Sequence, residues 1–511
     1  MAAPLDGFRV IDASTGIAGP MAGMLLADFG ADVVKVEPPG GEAGRADPGF
    51  AMWNRNKRGV VVDVESAADR EWLEGRLAGA DLCIFSGTTE HLASNGLDPA
   101  AVTGRYGGLV YLHTPPFGST TPWAGGQESA ALAHAALGVG VRQYGVADVP
   151  IDCVYPHVLY GQAIMAATSA VAALLERSAS GRGQTVTVGA LHGMVVTMSG
   201  MMTHEVGVET VKPAGGTGGP LPFYHLYECG DGQWLFQAGL KPAFYYAAFD
   251  ELGVMDILSD ERLGGEPAAM ALPEQAPWVI ERIQAAYRAK PRDEWLRILE
   301  EVGCPAGPVA DRDVWLDHPQ IEAIGMRAEV ADPERGRVVM PGLPLNLMAS
   351  PASVRRAAPS VGQDDGAVEA WEGQPVTGGA LSGAAAPSGE ALSNDAPLGD
   401  GPLAGRRILD LGSIIAGTYP GSLLAELGAD VIKVESLDGD VVRSFGPTFV
   451  GYNKGKRSVS IDLRSEAGLA AFYALVKTVD VVIDNYRPGV LQKLKVHYDD
   501  LVQVNPSIIV S

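Results

Sequence analysis

The feature that most constrains this chain is that it repeats itself. Leu5 to Glu37 reads LDGFRVIDASTGIAGPMAGMLLADFGADVVKVE and Leu403 to Glu435 reads LAGRRILDLGSIIAGTYPGSLLAELGADVIKVE, with 18 of 33 paired positions identical and no gap. Such ungapped self-similarity predicts two copies of one domain. The match resumes at NRNKRGVVVDV (Asn54 to Val64) against NKGKRSVSIDL (Asn453 to Leu463), where the offset has grown from 398 to 399, so one residue is inserted in a loop. The reading is a first copy over 1–372, a linker over 373–402 and the N-terminal part of a second copy over 403–511. In the linker, 20 of 30 positions are Gly, Ala, Pro or Ser and none is aromatic or basic. Such a segment buries too little apolar area to offset its ordering entropy and is expected to be flexible. The second copy stops opposite Leu112 of the first, on the strand-like run SIIVS, and a truncated second copy is expected.

At 511 residues the chain is too long for one small module, and 47% apolar with 19% charged residues is globular composition. The net charge of -23 repels phosphate backbones and argues against a nucleic-acid partner, while leaving room for a small basic pocket that takes one anionic ligand. Cys83, Cys153, Cys229 and Cys304 form no C-x-x-C pair, which predicts a reducing cytoplasm and no metal knuckle. The N-terminus enters an apolar strand with no basic n-region, so export by a signal peptide is not expected. Val154 to Leu175 carries no Asp, Glu, Lys or Arg over 22 residues, the length of a membrane span. It is Ala-rich, interrupted by Pro156, His157, Gln162 and Ser169, and has no cationic flank; a buried core helix is expected, with no membrane partner.

Each copy opens as strand, glycine-bearing turn, helix, strand. In the first, Arg9 to Ala13 is a strand, Gly16 to Pro20 a turn, Met21 to Phe29 a helix and Asp32 to Val36 a second strand ending in Glu37, a βαβ unit of a parallel sheet. The turn offers free N–H groups at a helix N-terminus, suited to phosphate, and Glu37 could hold a ribose hydroxyl. Its spacing, Gly16-x-x-Gly19-x-x-x-Gly23, lacks the G-x-G-x-x-G pattern, and the alternative is that Gly23 only packs its helix on the sheet.

Taken in order, the opening L-x-G-x-R-V-I-D with A-G-P, GADVVKVE, NRNKR, Pro116-Phe117-Gly118, ALLER with Gly181-Arg182-Gly183-Gln184, Glu294-Trp295, GCPAGPV and Pro341-Gly342-Leu343-Pro344 resemble the class III CoA-transferases, with their related acyl-CoA racemases. The resemblance implies an α/β fold, a Rossmann-like parallel-sheet domain built from both ends of the copy and a smaller α+β domain from about 200–320. It implies two copies interlocked like chain links, here as a homodimer or a fused pseudodimer. It implies transfer of CoA between an acyl-CoA and a small organic acid, with coenzyme A as substrate, no permanently bound cofactor and no metal. In such enzymes an aspartate attacks the thioester, giving a mixed anhydride and then an enzyme-bound thioester, with backbone N–H groups holding the oxyanions.

Counting from Pro150 and back from Gly181 places that aspartate at Leu159, so the first copy has no nucleophile there; the second-copy position falls beyond Ser511. The neighbouring alternatives are His157 and Asp152. The CoA-binding segments carry over better to the second copy: Ile415 and Ala416 in its first turn, Asn485, Tyr486 and Arg487 in the run N-Y-R-P-G, and Lys493 where a cation meets the CoA phosphates. In the first copy that run reads Ser86-Gly87-Thr88-Thr89-Glu90. The first copy is thus expected to be a structural partner, an asymmetry that resembles the fused enzymes acting on dimethylsulfoniopropionate through a CoA ester. The alternatives are an acyl-CoA racemase or isomerase, which would need a His and Asp acid/base pair whereas His113 and His134 have no acid at matching positions, and a non-catalytic CoA-binding scaffold.

Overall fold

The computed structural model describes residues 3–120, 122–142, 149–204, 206–207, 218–219, 221–368, 371 and 401–511. The linker read over 373–402 lies outside the described residues except for Gly401 and Pro402. Chain contacts divide the protein into two units, one of residues 1–133, 155–206 and 328–511, the other of residues 134–154 and 207–327.

The first unit opens with a parallel sheet of β1 (Arg9–Ala13), β2 (Asp32–Glu37), β3 (Arg58–Val61), β4 (Leu82–Ser86), β5 (Val110–Thr114) and β6 (Thr185–Thr187), in the order β3-β2-β1-β4-β5-β6. Its helices are α1 (Ala18–Asp28), α2 (Phe50–Trp53), α3 (Ala67–Gly79), α4 (Thr89–Ser94), α5 (Pro99–Arg105), α8 (His157–Ser180) and α9 (Ala190–Met202); α6 (Ala130–Ala136) spans the boundary between the units and α7 (Val139–Arg142) belongs to the second. Because the sheet is covered on both faces, its strands read as near-continuous apolar runs whose neighbours face opposite ways. Val10, Val33, Leu82 and Val110 join Leu26, Ala166, Ala170 and Leu174 of α1 and α8 in one core, while Ile11, Val34, Cys83 and Tyr111 join Leu73, Leu77 and Val102 of α3 and α5 in the other. Each such side chain contributes roughly 1.5–3 kcal/mol when fully buried. By length and composition α8 could cross a membrane, yet its small Ala face lies in the first of these cores. The helix ends where Gly181 takes φ 72°, a left-handed cap open to glycine.

Helix α1 begins at Ala18, three residues before the expected Met21. Pro20 explains the difference: within the first helical turn its missing N–H costs nothing, so a residue read as turn-forming sits inside the helix.

After the second unit the chain returns to this sheet. The hairpin β10 (Arg327–Asp332) and β11 (Gly336–Pro341) leads into a stretch held by a buried ion pair, Arg55 to Asp28 at 2.7 Å. The same guanidinium donates to Gly342 O at 2.9 Å, and Trp371 Nε1 donates to Asp32 Oδ2 at 2.9 Å. Both ends of the first copy thereby build one sheet domain.

The second unit has the antiparallel strands β7 (Tyr224–Glu228), β8 (Trp234–Ala238) and β9 (Ala306–Pro308) with α10 (Pro242–Leu252), α11 (Ala276–Tyr287), α12 (Arg292–Glu301) and α13 (Pro319–Ala323). Tyr227, Phe249, Tyr287, Trp295 and Leu299 form its core.

A second parallel sheet, back in the first unit, runs β14-β13-β12-β15-β16, from β12 (Arg407–Asp410), β13 (Asp430–Glu435), β14 (Arg457–Ser460), β15 (Val481–Ile483) and β16 (Ile509–Val510). Its helices are α14 (Thr418–Glu426), α15 (Pro447–Asn453), α16 (Glu466–Val476), α17 (Val490–Leu494) and α18 (Tyr498–Val504). Arg407 pairs with Asp430 as Arg9 pairs with Asp32, so the repeated sequence folds in the same register.

Candidate functional site at the switch point of the second sheet

In a parallel sheet, the crevice that accepts a ligand opens at the C-terminal ends of two adjacent strands whose connections leave in opposite directions. In the second sheet that point lies between β12 and β15. Here the β12–α14 turn, Gly412 to Gly417, meets Asn485, two residues past β15. Ser413 N donates to Asn485 Oδ1 at 2.9 Å and Asn485 Nδ2 donates to Ser413 O at 2.9 Å. A Cβ on Gly417 would stand 2.6 Å from the Asn485 amide carbon, so glycine is what lets this side chain seat against the turn.

Ile414 holds φ 66° in this turn. A β-branched residue in the left-handed region is strained, at a cost of about 1–2 kcal/mol, and such strain gathers at ligand-binding loops. Ile414 and Ile415 remain 41% and 40% exposed, an apolar pair held open to solvent, and Tyr486, next in the chain to Asn485, is 38% exposed. Ala416 follows, and the Ile415 carbonyl accepts from Thr418 N and Tyr419 N as α14 begins. Gly489, at φ 84°, starts the short helix α17, on which Lys493 is exposed.

Beneath the turn lies a buried charge network. Asp410 accepts from Gly412 N at 2.8 Å and from Lys456 Nζ at 2.7 Å, while Lys433 Nζ donates to Gly412 O at 2.8 Å and pairs with Asp440 at 3.0 Å. The first copy has the same set: Asp12 with Lys57 at 2.7 Å, and Lys35 with Glu42 at 3.0 Å and with Ser14 O. Burial pushes the Asp12 carboxyl up, but the Lys57 and Lys35 ammoniums outweigh it and hold it below its ordinary value. Burial also lowers Lys57 to about 8 and brings Lys456 below its ordinary value. Gly23 and Gly421 leave room for these pairs: a Cβ would lie 2.7 Å from Asp12 Oδ2 and 3.2 Å from Asp410 Oδ2. The third glycine thus seats its helix over an ion pair. Glu37 is engaged by Arg45, which donates to it from Nε at 2.9 Å, and by Glu42 N at 3.1 Å, and Glu435 is engaged by Arg443 and Ser458. Each acid is committed to a protein partner where a ribose hydroxyl would have to bind.

The turn of the first copy is finished differently. Thr15 N donates to Ser86 Oγ at 2.8 Å in place of the Asn485 clasp, and Gly87 at φ 92° leads directly to Thr88, which caps α4 through His91 N at 3.2 Å. Glu90 lies exposed in the first turn of that helix. The carboxyl of Glu128 stands on the turn itself, accepting from Ile17 N at 2.8 Å; a Cβ at Gly16 would be 2.1 Å from its Oε1. Ile414 occupies the corresponding position in the second copy, so a carboxylate could not stand there in that way. Burial pushes the Glu128 carboxyl up to about 7.

Leu159 lies buried in the first turn of α8. His157 opens the same helix with Nδ1 3.2 Å from Tyr155 O, and Asp152 is exposed. His113 is buried on β5 with Nε2 3.0 Å from Gly87 O, and burial lowers its pKa; His134 is buried on α6. Sequence reasoning passed over Glu128 and the four network lysines. The lysines stood inside the repeated motifs GADVVKVE/GADVIKVE and NRNKR/NKGKR, a signal that could have singled them out. Glu128 carried only the signature of an acid ahead of an Ala-rich helix, and its partner is 111 residues away.

Together, a parallel sheet repeated in sequence and a clasped turn at its switch point place the chain in the α/β class, with a crevice of the kind that accepts a ligand. The profile of CoA-transferase family III matches residues 5–365 and 403–511, and the chain belongs to that family. It is 28% identical over 527 residues to "Probable CoA-transferase Rv1866" of Mycobacterium tuberculosis, covering 98% of this chain and 64% of that protein. To "CoA-transferase/lyase DddD" of Marinomonas sp. it is 25% identical over 553 residues, covering 99% of this chain and 65% of that protein. The chain therefore spans just under two thirds of the length of these relatives. Among solved structures, a CAIB/BAIF family protein from Brucella suis aligns with TM-score 0.63 at 23% identity over 72% of this chain and 98% of the other, a likeness of fold.

Proposed function

We propose that this chain is part of a fused CoA-transferase that moves CoA between an acyl-CoA and a small carboxylic acid in the cytoplasm, with the second copy binding CoA and the first serving as its structural partner in a pseudodimer. In this reading Ile414, Ile415, Ala416 and Tyr486 border the apolar and adenine parts of CoA. Asn485 fixes the turn, and Arg487 and Lys493 meet the phosphates. The reaction needs one carboxylate to attack the thioester, releasing CoA thiolate and leaving a mixed anhydride, from which the thiolate then displaces the carboxylic acid to form an enzyme-bound thioester. A branched alkyl group at Leu159 can do none of this.

The observation that carries the reading is the asymmetry of the two turns. One is clasped by Asn485 and presents Ile414 and Ile415 to solvent; the other has Glu128 seated on it. The test is hydroxylamine trapping with labelled acyl-CoA followed by peptide mapping. No adduct is expected on any acid of residues 1–370. An adduct on Asp152, or on another acid of that stretch, would contradict the silent first copy.

A further inference from the structure

We propose that α9 of the first copy sets the geometry of the second copy's turn, with Gly200, Tyr419 and Tyr452 as positioning residues for CoA; this rests on reading that turn as the CoA site. The two copies meet where α9 crosses α15. A Cβ on Gly200 would stand 2.3 Å from the Tyr452 ring, and one on Gly451 would stand 2.6 Å from Gly200 Cα. The helices therefore touch at backbone distance, and the Tyr452 ring lies flush on Gly200. Tyr452 meets Tyr419 edge to face, ring centroids 5.4 Å apart, and the Tyr419 hydroxyl donates to Val195 O of α9 at 2.8 Å.

From these two rings the contacts run straight into the turn. Tyr419 follows Thr418, whose Oγ1 donates to Ile414 O at 3.0 Å and Ile415 O at 3.2 Å. The Tyr452 carbonyl accepts from Lys456 Nζ at 3.2 Å, and the same ammonium holds Asp410, which fixes Gly412 N. Both ends of the turn are thus tied to residues that α9 presses upon.

The relay belongs to the second copy. At the corresponding places the first copy has Met21 for Tyr419, Trp53 for Tyr452 and Pro20 for Thr418. Pro20 and Met21 carry no side-chain donor, so neither could bond the turn carbonyls or a neighbouring helix backbone as Thr418 and Tyr419 do. The hydroxyl-bearing set occurs in the copy that also carries Asn485-Tyr486-Arg487-Pro488-Gly489. A packing contact alone would not require that difference. A partner helix that shapes a ligand loop would.

The test compares the 511-residue chain with Tyr419→Phe, Gly200→Ala and the double variant Gly200→Ala/Tyr452→Ser, reading CoA affinity by calorimetry, thermal stability, and amide exchange over Gly412–Tyr419. Tyr419→Phe should leave the melting temperature near that of the parent, weaken CoA by about three- to tenfold and speed exchange in the turn. Gly200→Ala should lower both stability and affinity. Removing the ring in the double variant relieves the overlap but leaves a cavity, so neither stability nor affinity should recover. Parent-like affinity and exchange in Tyr419→Phe would overturn the proposal, as would recovery of affinity in the double variant. Failure of the parent chain itself to bind CoA would refute the reading of the site, and the exchange comparison would then still decide whether α9 governs the turn.

Discussion

Asn485 and Ser413 hold each other through two hydrogen bonds of 2.9 Å, one in each direction, across the switch point of the second sheet. Because both bonds go to one backbone unit, truncating the amide frees the turn on both counts. Asn485→Ala is expected to weaken CoA binding by about 1–2 kcal/mol, the sum of two neutral hydrogen bonds. Ser86→Ala, the matching change in the first copy, should leave CoA affinity unchanged. Titration calorimetry on the two variants checks this.

Lys493 is exposed on α17, at the end of the loop that Asn485 begins. Lys493→Ala should cost about 1–3 kcal/mol of CoA affinity at low salt, shrinking as added salt screens the phosphates. Glu90→Ala in the first copy should have no effect. A salt-independent loss would argue that Lys493 acts through structure and not through charge.

Ile414 carries the strain of φ 66° that Gly16 carries freely at φ 79°. Ile414→Gly should therefore raise stability by roughly 0.5–1 kcal/mol, relief of the left-handed cost less the extra freedom of glycine in the unfolded chain. It should also lower CoA affinity, since the exposed side chain goes with it. Melting temperature and affinity moving in opposite directions is the expected signature.

Burial pushes the Glu128 carboxyl up to about 7 in the folded chain from an ordinary value of 4.5. Between those values the folded state keeps a proton that the unfolded state has released, so stability falls as pH rises through that window. The loss is bounded at about 3 kcal/mol by a shift of this size. It should be smaller where water reaches the carboxyl. In Glu128→Gln the pH dependence of the melting temperature between pH 4.5 and 8 should flatten. An unchanged slope would remove Glu128 as its source.

Much of the fold was legible because it is written locally. The alternation of Val10 and Ile11, or Val33 and Val34, between two cores produces the apolar runs that mark buried parallel strands, and the repeat carried that reading to the second sheet. The segment around Asn485 was legible as a motif, but its grip on Ser413 spans 72 residues and no local pattern encodes it. The same holds for Glu128 on Ile17 and for Lys57 on Asp12, where charged residues that look like surface positions are half-buried and buried, respectively, because the fold brings a partner from far away. Gly200 gave no signal at all: its meaning is the Tyr452 ring, which only the docking of the second copy supplies.

On the proposed reading, one of the two repeated turns binds CoA and the other does not. Calorimetric titration of CoA into the 511-residue chain, with the parent, Asn485→Ala and Ser86→Ala measured side by side, decides between them. The expected result is one CoA per chain, weakened in Asn485→Ala and unaltered in Ser86→Ala. Two equivalents per chain, or one equivalent that is weakened by Ser86→Ala and indifferent to Asn485→Ala, would contradict it.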